Sequence, residues 1–273
     1  MKYKQLVAVV TPHHRFPLSE DEAMSLRHLR TYLGQYDRYI IGPRKLPADL
    51  DDFILRKFSS HWFESANSYN RLLVSKDFYE AFESYHYILI YQLDCLVFSK
   101  DLEAWCRKNW DYVGAPWMAS YSHEETGSFW KVGNGGLALR HVGNALKVLN
   151  SKRLWVSPGV AGMKTRFSEA PAFVVKAVQF LKTRMHAMGY KNRVQYLIED
   201  MASDDSFHED LFWSLYAKHF LPEFHIPSPE EAVKFSYECA PRHCFKITGG
   251  QLPFGCHAWA KYDRSFWEPF LLK

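Results

Sequence analysis

The chain has 273 residues, 47% of them hydrophobic, which excludes wholesale disorder and allows one large domain or two small ones. Lys and Arg total 34 against 30 for Asp and Glu, a net charge of +4. That is too mild and too scattered for a nucleic-acid face; the densest basic stretches are Lys182–Arg184 and Lys191–Arg193.

In chain order, Leu6–Val10 is a short apolar run ended by Thr11-Pro12 and reads as a buried first strand. The apolar residues after the leading lysines are too few for a signal-peptide core, and no stretch approaches membrane-span length. Five cysteines, an odd number without tight spacing, fit a reducing compartment. The expectation is a cytoplasmic protein, free or resting at the inner face of the membrane. Ser19–Glu22 is a capping box opening a helix with Met24, Leu26, Leu29 and Leu33 inward, and Gly34 suits its end. Asp37–Pro43 predicts a second strand and residues 53–58 a third. Helical spacing of Tyr69, Leu72, Leu73, Tyr79 and Phe82 predicts one helix over Ser68–Phe82. Tyr87–Phe98 follows as an apolar strand interrupted by Gln92 and Asp94.

Strands alternating with helices at this rhythm predict an α/β fold, an open and mostly parallel sheet with flanking helices. The second half is more irregular. Asp111–Trp117 and Lys131–Arg140 read as a strand, a loop and another strand entering a helix at His141. Residues 151–168 lack periodicity and predict a mobile loop; helices are expected near Phe173–Met188 and Asp210–Phe220. Ser228-Pro229-Glu230-Glu231 opens another helix.

In such sheets ligands bind beyond the carboxyl ends of the strands. Asp94 stands at that edge, two positions after Gln92, where one carboxylate and substrate phosphates suffice for Mg²⁺ or Mn²⁺. The competing reading is a turn-capping acid. The segment GNGGLALR carries Gly133, Gly135 and Gly136 around Asn134, a backbone that tolerates close approach of a ligand or a tight turn feeding a strand. Glu209 and Asp210 begin an apparent helix, where acids complement the dipole or one of them serves as a general base. His257, beside Cys256 and Trp259, is a packed histidine or a ligand. Cys239, His243 and Cys244 raise a zinc alternative, but their spacing matches no paired-cysteine knuckle. His13-His14-Arg15 follows the first strand and suits phosphate or solvent equally well. P-loop, HExxH and nucleophile-elbow signatures are missing from the sequence.

Taken in order, YNRLLVSKDFYEAF, YILIYQLDCLVF, DYVGAPW, GNGGLALR, EDLFWS and PFGCHAW resemble a family of bacterial proteins, often from polysaccharide loci, catalogued as a domain of unknown function and regarded as glycosyltransferase-like with the GT-A fold. The match runs from about Leu6 to about Lys261. The resemblance implies a single GT-A-like domain over 1–273, with a nucleotide-binding half at 1–100 and a donor-sugar and acceptor half at 101–273. It implies transfer of a sugar from a nucleotide-diphosphate donor such as UDP-sugar to a glycan or lipid-linked glycan, by an inverting route assisted by Mn²⁺ or Mg²⁺. Gln92-Leu93-Asp94 then stands where the family has Asp-x-Asp, so the first acid is missing. Asp94 matches the metal ligand, His257 the late histidine that completes the site, and Thr11, Asn70, Arg71 and Gln92 the nucleotide contacts. Asn134, Gly135 and Gly136 shape the sugar pocket, Trp117 and Trp259 are candidates to stack on a sugar, and Asp210, then Glu209, is the candidate base. The missing first acid leaves a second expectation open: a catalytically silent nucleotide- or glycan-binding module on the same fold.

Overall fold

The computed structural model describes residues 5–13, 15–119, 127–153, 193–203 and 207–273. Its centre is a six-stranded sheet built from β1 (Gln5–Pro12), β2 (Asp37–Gly42), β3 (Ile54–Lys57), β4 (Tyr85–Tyr91), β6 (Tyr112–Val113) and β9 (Leu137–His141). The spatial order is β3-β2-β1-β4-β9-β6. The first four strands are mutually parallel, whereas β9 runs antiparallel to both β4 and β6. This is the open, mostly parallel α/β sheet with flanking helices that the alternating pattern predicts.

Burial explains the pattern. Ile88, Leu89 and Ile90 of β4 are fully buried, as are Ala8, Val9 and Val10 of β1, so the central strands read as unbroken apolar runs. Each such aliphatic side chain contributes about 1.5–3 kcal/mol of transfer free energy. Helix α1 (Glu20–Leu33) begins with the Ser19–Glu22 capping box and adds Leu26, Leu29 and Leu33 to the same core. The remaining helices that matter here are α2 (Ala66–Leu72), α3 (Lys76–Glu80), α4 (Leu102–Arg107), α5 (Val142–Leu149) and α6 (Arg193–Met201).

The single helix expected over Ser68–Phe82 is instead two. The Ser75 hydroxyl donates to Leu72 O and accepts from Phe78 N, ending α2 and capping α3. Apolar spacing continues across the break because both helices lie on one core. The segment expected as a helix over Asp210–Phe220 is α7 (Glu209–Leu211), a π-helical turn at Phe212–Tyr216 and α8 (Ala217–Phe220). Helix α9 (Pro229–Phe235) starts at the predicted Pro229. Of the loop expected at 151–168, residues 154 onward lie outside the described residues, as does the helix expected at Phe173–Met188.

Two small sheets accompany the central sheet among the described residues. β7 (Pro116–Met118) pairs with β8 (Phe129–Val132). β5 (Leu96–Val97), β10 (Ser236–Tyr237) and β11 (Gly255–Cys256) form the other, in the order β10-β11-β5, over a second apolar cluster that includes Leu96, Tyr237, Cys256, Trp259 and Trp267. Helices α10 (Pro241–Ile247) and α11 (Arg264–Trp267) flank it. Among the described residues no helix is long and apolar enough to cross a membrane.

Candidate active site at the carboxyl edge of the sheet

Strand register brings the central residues together. β4 ends at Tyr91, and the chain turns through Gln92–Cys95 into β5, with Gln92 N bonded to Gly136 O and Cys95 N to Gln92 O. β5 and β11 are antiparallel, Leu96 opposite Cys256, so the residues before β5 face those after β11. β10 runs parallel to β11 with Tyr237 opposite Cys256, which delivers Glu238 to the same end. Three two-residue strands thereby assemble Asp94, His257 and Glu238.

The geometry is that of a histidine held between two carboxylates. His257 Nδ1–H donates to Glu238 Oε1 at 3.0 Å. Its Nε2 faces Gln92 Oε1 at 3.2 Å and Asp94 Oδ1 at 3.4 Å. The Asp94 side chain is 49% exposed, whereas that of His257 is 16% exposed. Burial disfavours the imidazolium, but hydrogen bonds and charge from Asp94 and Glu238 outweigh it and push His257 up to about 10. Burial also raises the Asp94 carboxyl, and His257 more than reverses this, leaving it below the usual carboxylate range.

The sign of the resulting pH dependence follows. A histidine raised from its ordinary 6.5 to about 10 adds stability that is complete below about pH 6.5 and lost as pH rises through 10. Wild-type stability relative to His257→Gln should therefore fall by about 3 kcal/mol between pH 6 and pH 10, read from thermal melts in matched buffers. Parallel curves for the two proteins would remove the ion triad.

A cavity of about 430 Å³ opens beside Asp94, walled by Pro12, His13, Arg15, Glu22, Phe63, Tyr69, Gln92 and Asp94 among others, beyond the carboxyl ends of β1 and β4. A second, of about 880 Å³, shares Arg15 and Phe63 and adds Phe16, Arg44, Phe58, Ser59 and Ser60, beyond the carboxyl ends of β1, β2 and β3. His13 Nε2 is buried without a hydrogen-bond partner among the described residues, Asp94 Oδ1 has only His257 Nε2 at 3.4 Å, and the Tyr69 hydroxyl lies beside Gln92. Buried polar atoms are normally satisfied, so an orphaned nitrogen and a carboxylate oxygen with one long contact mark a place where a ligand supplies partners. Burial lowers the pKa of His13, with Glu22 partly opposing, so the cavity's fixed cation is the Arg15 guanidinium.

The glycine segment separates this cluster from the acids. Asn134 adopts a left-handed φ of 66° and its Oδ1 accepts from Gly136 N. A Cβ on Gly136 would fall 2.1 Å from the His257 ring, and one on Gly135 would fall 2.0 Å from Glu209 Oε1. The glycines thus admit the protein's own side chains, and the close approach expected of a ligand is made by His257 and Glu209. Glu209 Oε1 is pinned by Arg140, so Gly135→Ala cannot be relieved by a rotamer change. It should cost about 1–3 kcal/mol and lower Tm by several degrees, and an unchanged Tm would refute this packing.

Glu209 and Asp210 are not equivalent. Glu209 is buried, and its Oε1 accepts from Arg140 Nη2 at 2.7 Å. Burial raises its carboxyl and Arg140 pulls it back, while Arg140 itself holds its proton more tightly than usual. Asp210 is half-buried, its Oδ2 accepting from Asn134 N at 3.0 Å and its Oδ1 from Leu211 N at 2.9 Å. Burial, then the charge of Glu238, raises its pKa, with His208 opposing. Asp210 therefore senses the histidine triad across the glycine segment.

The other predicted site residues are placed as follows. Thr11 is buried inside β1, and Pro12 and His13 reach the cavity in its stead. Asn70 ties α2 to the acidic loop, its Nδ2 donating to Phe207 O and its Oδ1 accepting from Glu209 N. Arg71 is exposed on α2 and lines neither cavity. Trp117 is half-buried with its six-membered ring against Gly133. Trp259 is 1% exposed under the Asp94 turn, its backbone N bonded to Asp94 O, so its ring faces are covered. Cys244 Sγ turns to Cys239 O and His243 Nε2 to Gly127 O. Glu238, Tyr69, Phe63 and Arg140 carry no local sequence signal for the site. Arg15 belongs to the His13-His14-Arg15 stretch that does.

A family model described as protein of unknown function (DUF5672) matches residues 52–257. No curated protein matches the chain. Among solved structures, a glycosyltransferase involved in the glycosylation of the major capsid of PBCV-1 is similar over 97% of this chain and 98% of its own, at 13% identity and a TM-score of 0.44.

Proposed function

The chain belongs to the DUF5672 family, and from the geometry of its cleft we propose that it is a glycosyltransferase using a nucleotide-diphosphate sugar. The observation that carries this reading is Asp94: a half-exposed carboxylate at the carboxyl end of β4, paired with His257 at 3.4 Å and lining a cavity of about 430 Å³. In this reading residues 1–100 form the nucleotide half and 101–273 the donor-sugar and acceptor half of one domain. The nucleoside lies in the larger cavity against Phe16, Phe58 and Phe63, and the diphosphate lies in the smaller one near Arg15 and Asp94.

The residues fit a divalent cation. Asp94 and His257 Nε2, 3.4 Å apart, would hold it, and Glu238 on Nδ1 is the outer carboxylate that orients metal-binding histidines. Two protein ligands suit Mn²⁺ or Mg²⁺ that completes its shell with phosphate oxygens and water. When bound, such an ion supplies positive charge to the departing diphosphate. His257 would have to release its Nε2 proton to hold the ion, so metal uptake would be coupled to proton release.

Asp210 serves as general base. Its raised pKa makes it a stronger base than an exposed aspartate, and the Asn134 and Leu211 amides fix both oxygens. The acceptor hydroxyl gives its proton to Asp210 as its oxygen bonds to the anomeric carbon. The bond from that carbon to the phosphate oxygen breaks, the nucleoside diphosphate leaves with the electron pair, and configuration inverts. Glu209, closed off by Arg140, anchors the loop that carries Asp210.

Gln92 in place of an acid supports a second reading, a silent nucleotide-binding module. Calorimetry with UDP and GDP, each with and without Mn²⁺, followed by mass-spectrometric detection of donor hydrolysis, separates the two. Transfer predicts nucleotide binding strengthened by Mn²⁺ together with slow hydrolysis. Binding without hydrolysis favours the module. Folded protein that binds neither nucleotide overturns both.

A further inference from the structure

The β7–β8 hairpin presents two tryptophans that the reaction described above does not use. Phe129 of β8 packs into the apolar cluster that holds Val233 of α9, so this face of the hairpin is covered. The ladder shifts register between Pro116 and Met118, and Trp130 stands clear of that cluster. There it stacks on Trp117 with ring centroids 5.7 Å apart and planes 25° apart. Trp130 is 52% exposed, the most exposed of the large apolar side chains among the described residues. A tryptophan left in water at the end of a three-residue by four-residue hairpin forgoes most of its burial energy, and an exposed aromatic pair of this kind marks a binding surface.

Its position names the occupant. The Trp117 ring lies against Gly133, and the next residue, Asn134, donates its backbone N–H to Asp210. The stacked pair therefore adjoins the glycine segment whose Asn134 amide holds the carboxylate that receives the acceptor proton, with Trp117 against the segment and Trp130 beyond it. Pyranose rings offer flat faces of C–H groups with hydroxyls at the rim, which suits the open outer face of Trp130. Resting on the glycosyltransferase reading above, we infer that the acceptor is an oligosaccharide of at least two sugar units, whose terminal unit reaches Asp210 and one of whose further units stacks on the outer face of Trp130.

The test uses the intact protein on an array of immobilised oligosaccharides, without donor, beside Trp130→Ala and Trp130→Phe. Wild type is expected to bind at least one saccharide. Trp130→Ala should weaken that binding at least tenfold, and Trp130→Phe should restore most of it. Calorimetric UDP and GDP binding is measured on the same three proteins. Saccharide binding that depends on Trp130 without any nucleotide binding would sustain the glycan surface and defeat the transferase reading. Nucleotide binding with saccharide affinity unchanged in Trp130→Ala would overturn the glycan surface and leave the transferase. Failure of wild type to bind any arrayed saccharide also overturns it, as does an effect of Trp130→Ala confined to self-association.

Discussion

Asp94→Ala should lower the affinity for UDP or GDP in the presence of Mn²⁺ by at least roughly 100-fold, and abolish the gain that Mn²⁺ gives the wild type. The figure exceeds the 10–100-fold typical of losing a residue that merely orients a metal ligand, because Asp94 is the carboxylate the ion would touch. Stability should hardly change. The Asp94 side chain is half exposed and its pairing with His257 is at 3.4 Å, whereas Glu238 keeps its own bond to the imidazole. Such a pair contributes about 1 kcal/mol or less. Affinity and melting temperature thus separate a ligand from a structural acid. Affinity that survives in Asp94→Ala, with Mn²⁺ still helping, would remove this carboxylate from the site and with it the proposed chemistry.

A second large effect is expected at Arg140, and here stability leads. The guanidinium is 1% exposed on β9, with Nη2 on Glu209 and Nη1 on the Tyr79 hydroxyl at 3.2 Å. Its charge also lies over the Tyr112 ring, 5.5 Å from the centroid. Arg140→Ala leaves the Glu209 carboxylate buried without its counter-charge. Breaking a buried pair in this way costs about 3–5 kcal/mol, a fall in Tm of roughly 10 °C for a chain of this size. Replacing both partners by Met should recover most of that loss, since two buried charges are expensive to desolvate even when paired. A single substitution that leaves Tm unchanged would mean that the pair does not hold the acidic loop. The same substitution should reduce transfer more than nucleotide binding, because Glu209 lies next to Asp210 whereas Arg140 lines neither cavity.

The sheet and its carboxyl edge were readable in the residues. Val7–Val10, Tyr39–Ile41 and Tyr87–Tyr91 are buried on both faces, so apolar runs mark them wherever they lie in the chain. Asp94 stood out because a carboxylate right after such a run belongs at the strand end. The Ser19–Glu22 cap was equally plain, since its hydrogen bonds join residues three apart. The break at Ser75 was hidden for a related reason. Apolar spacing reports which face is buried, and α2 and α3 bury their faces on one core, so periodicity runs through the cap.

Composition and local order therefore dictate the α/β class, the strand edge and the acid that stands there, because those depend on contacts between near neighbours or on burial averaged over a run. Partnership across the chain is another matter. Glu238 meets His257 through the register of strands two residues long, and Arg140 meets Glu209 across 69 positions. Glu209 and Asp210 are adjacent and alike in sequence, yet one is locked against a guanidinium and the other is held by the backbone amides of Asn134 and Leu211. Packing of β9 against α7 makes that distinction, since long-range geometry sets which carboxylate meets a charge and which meets amides.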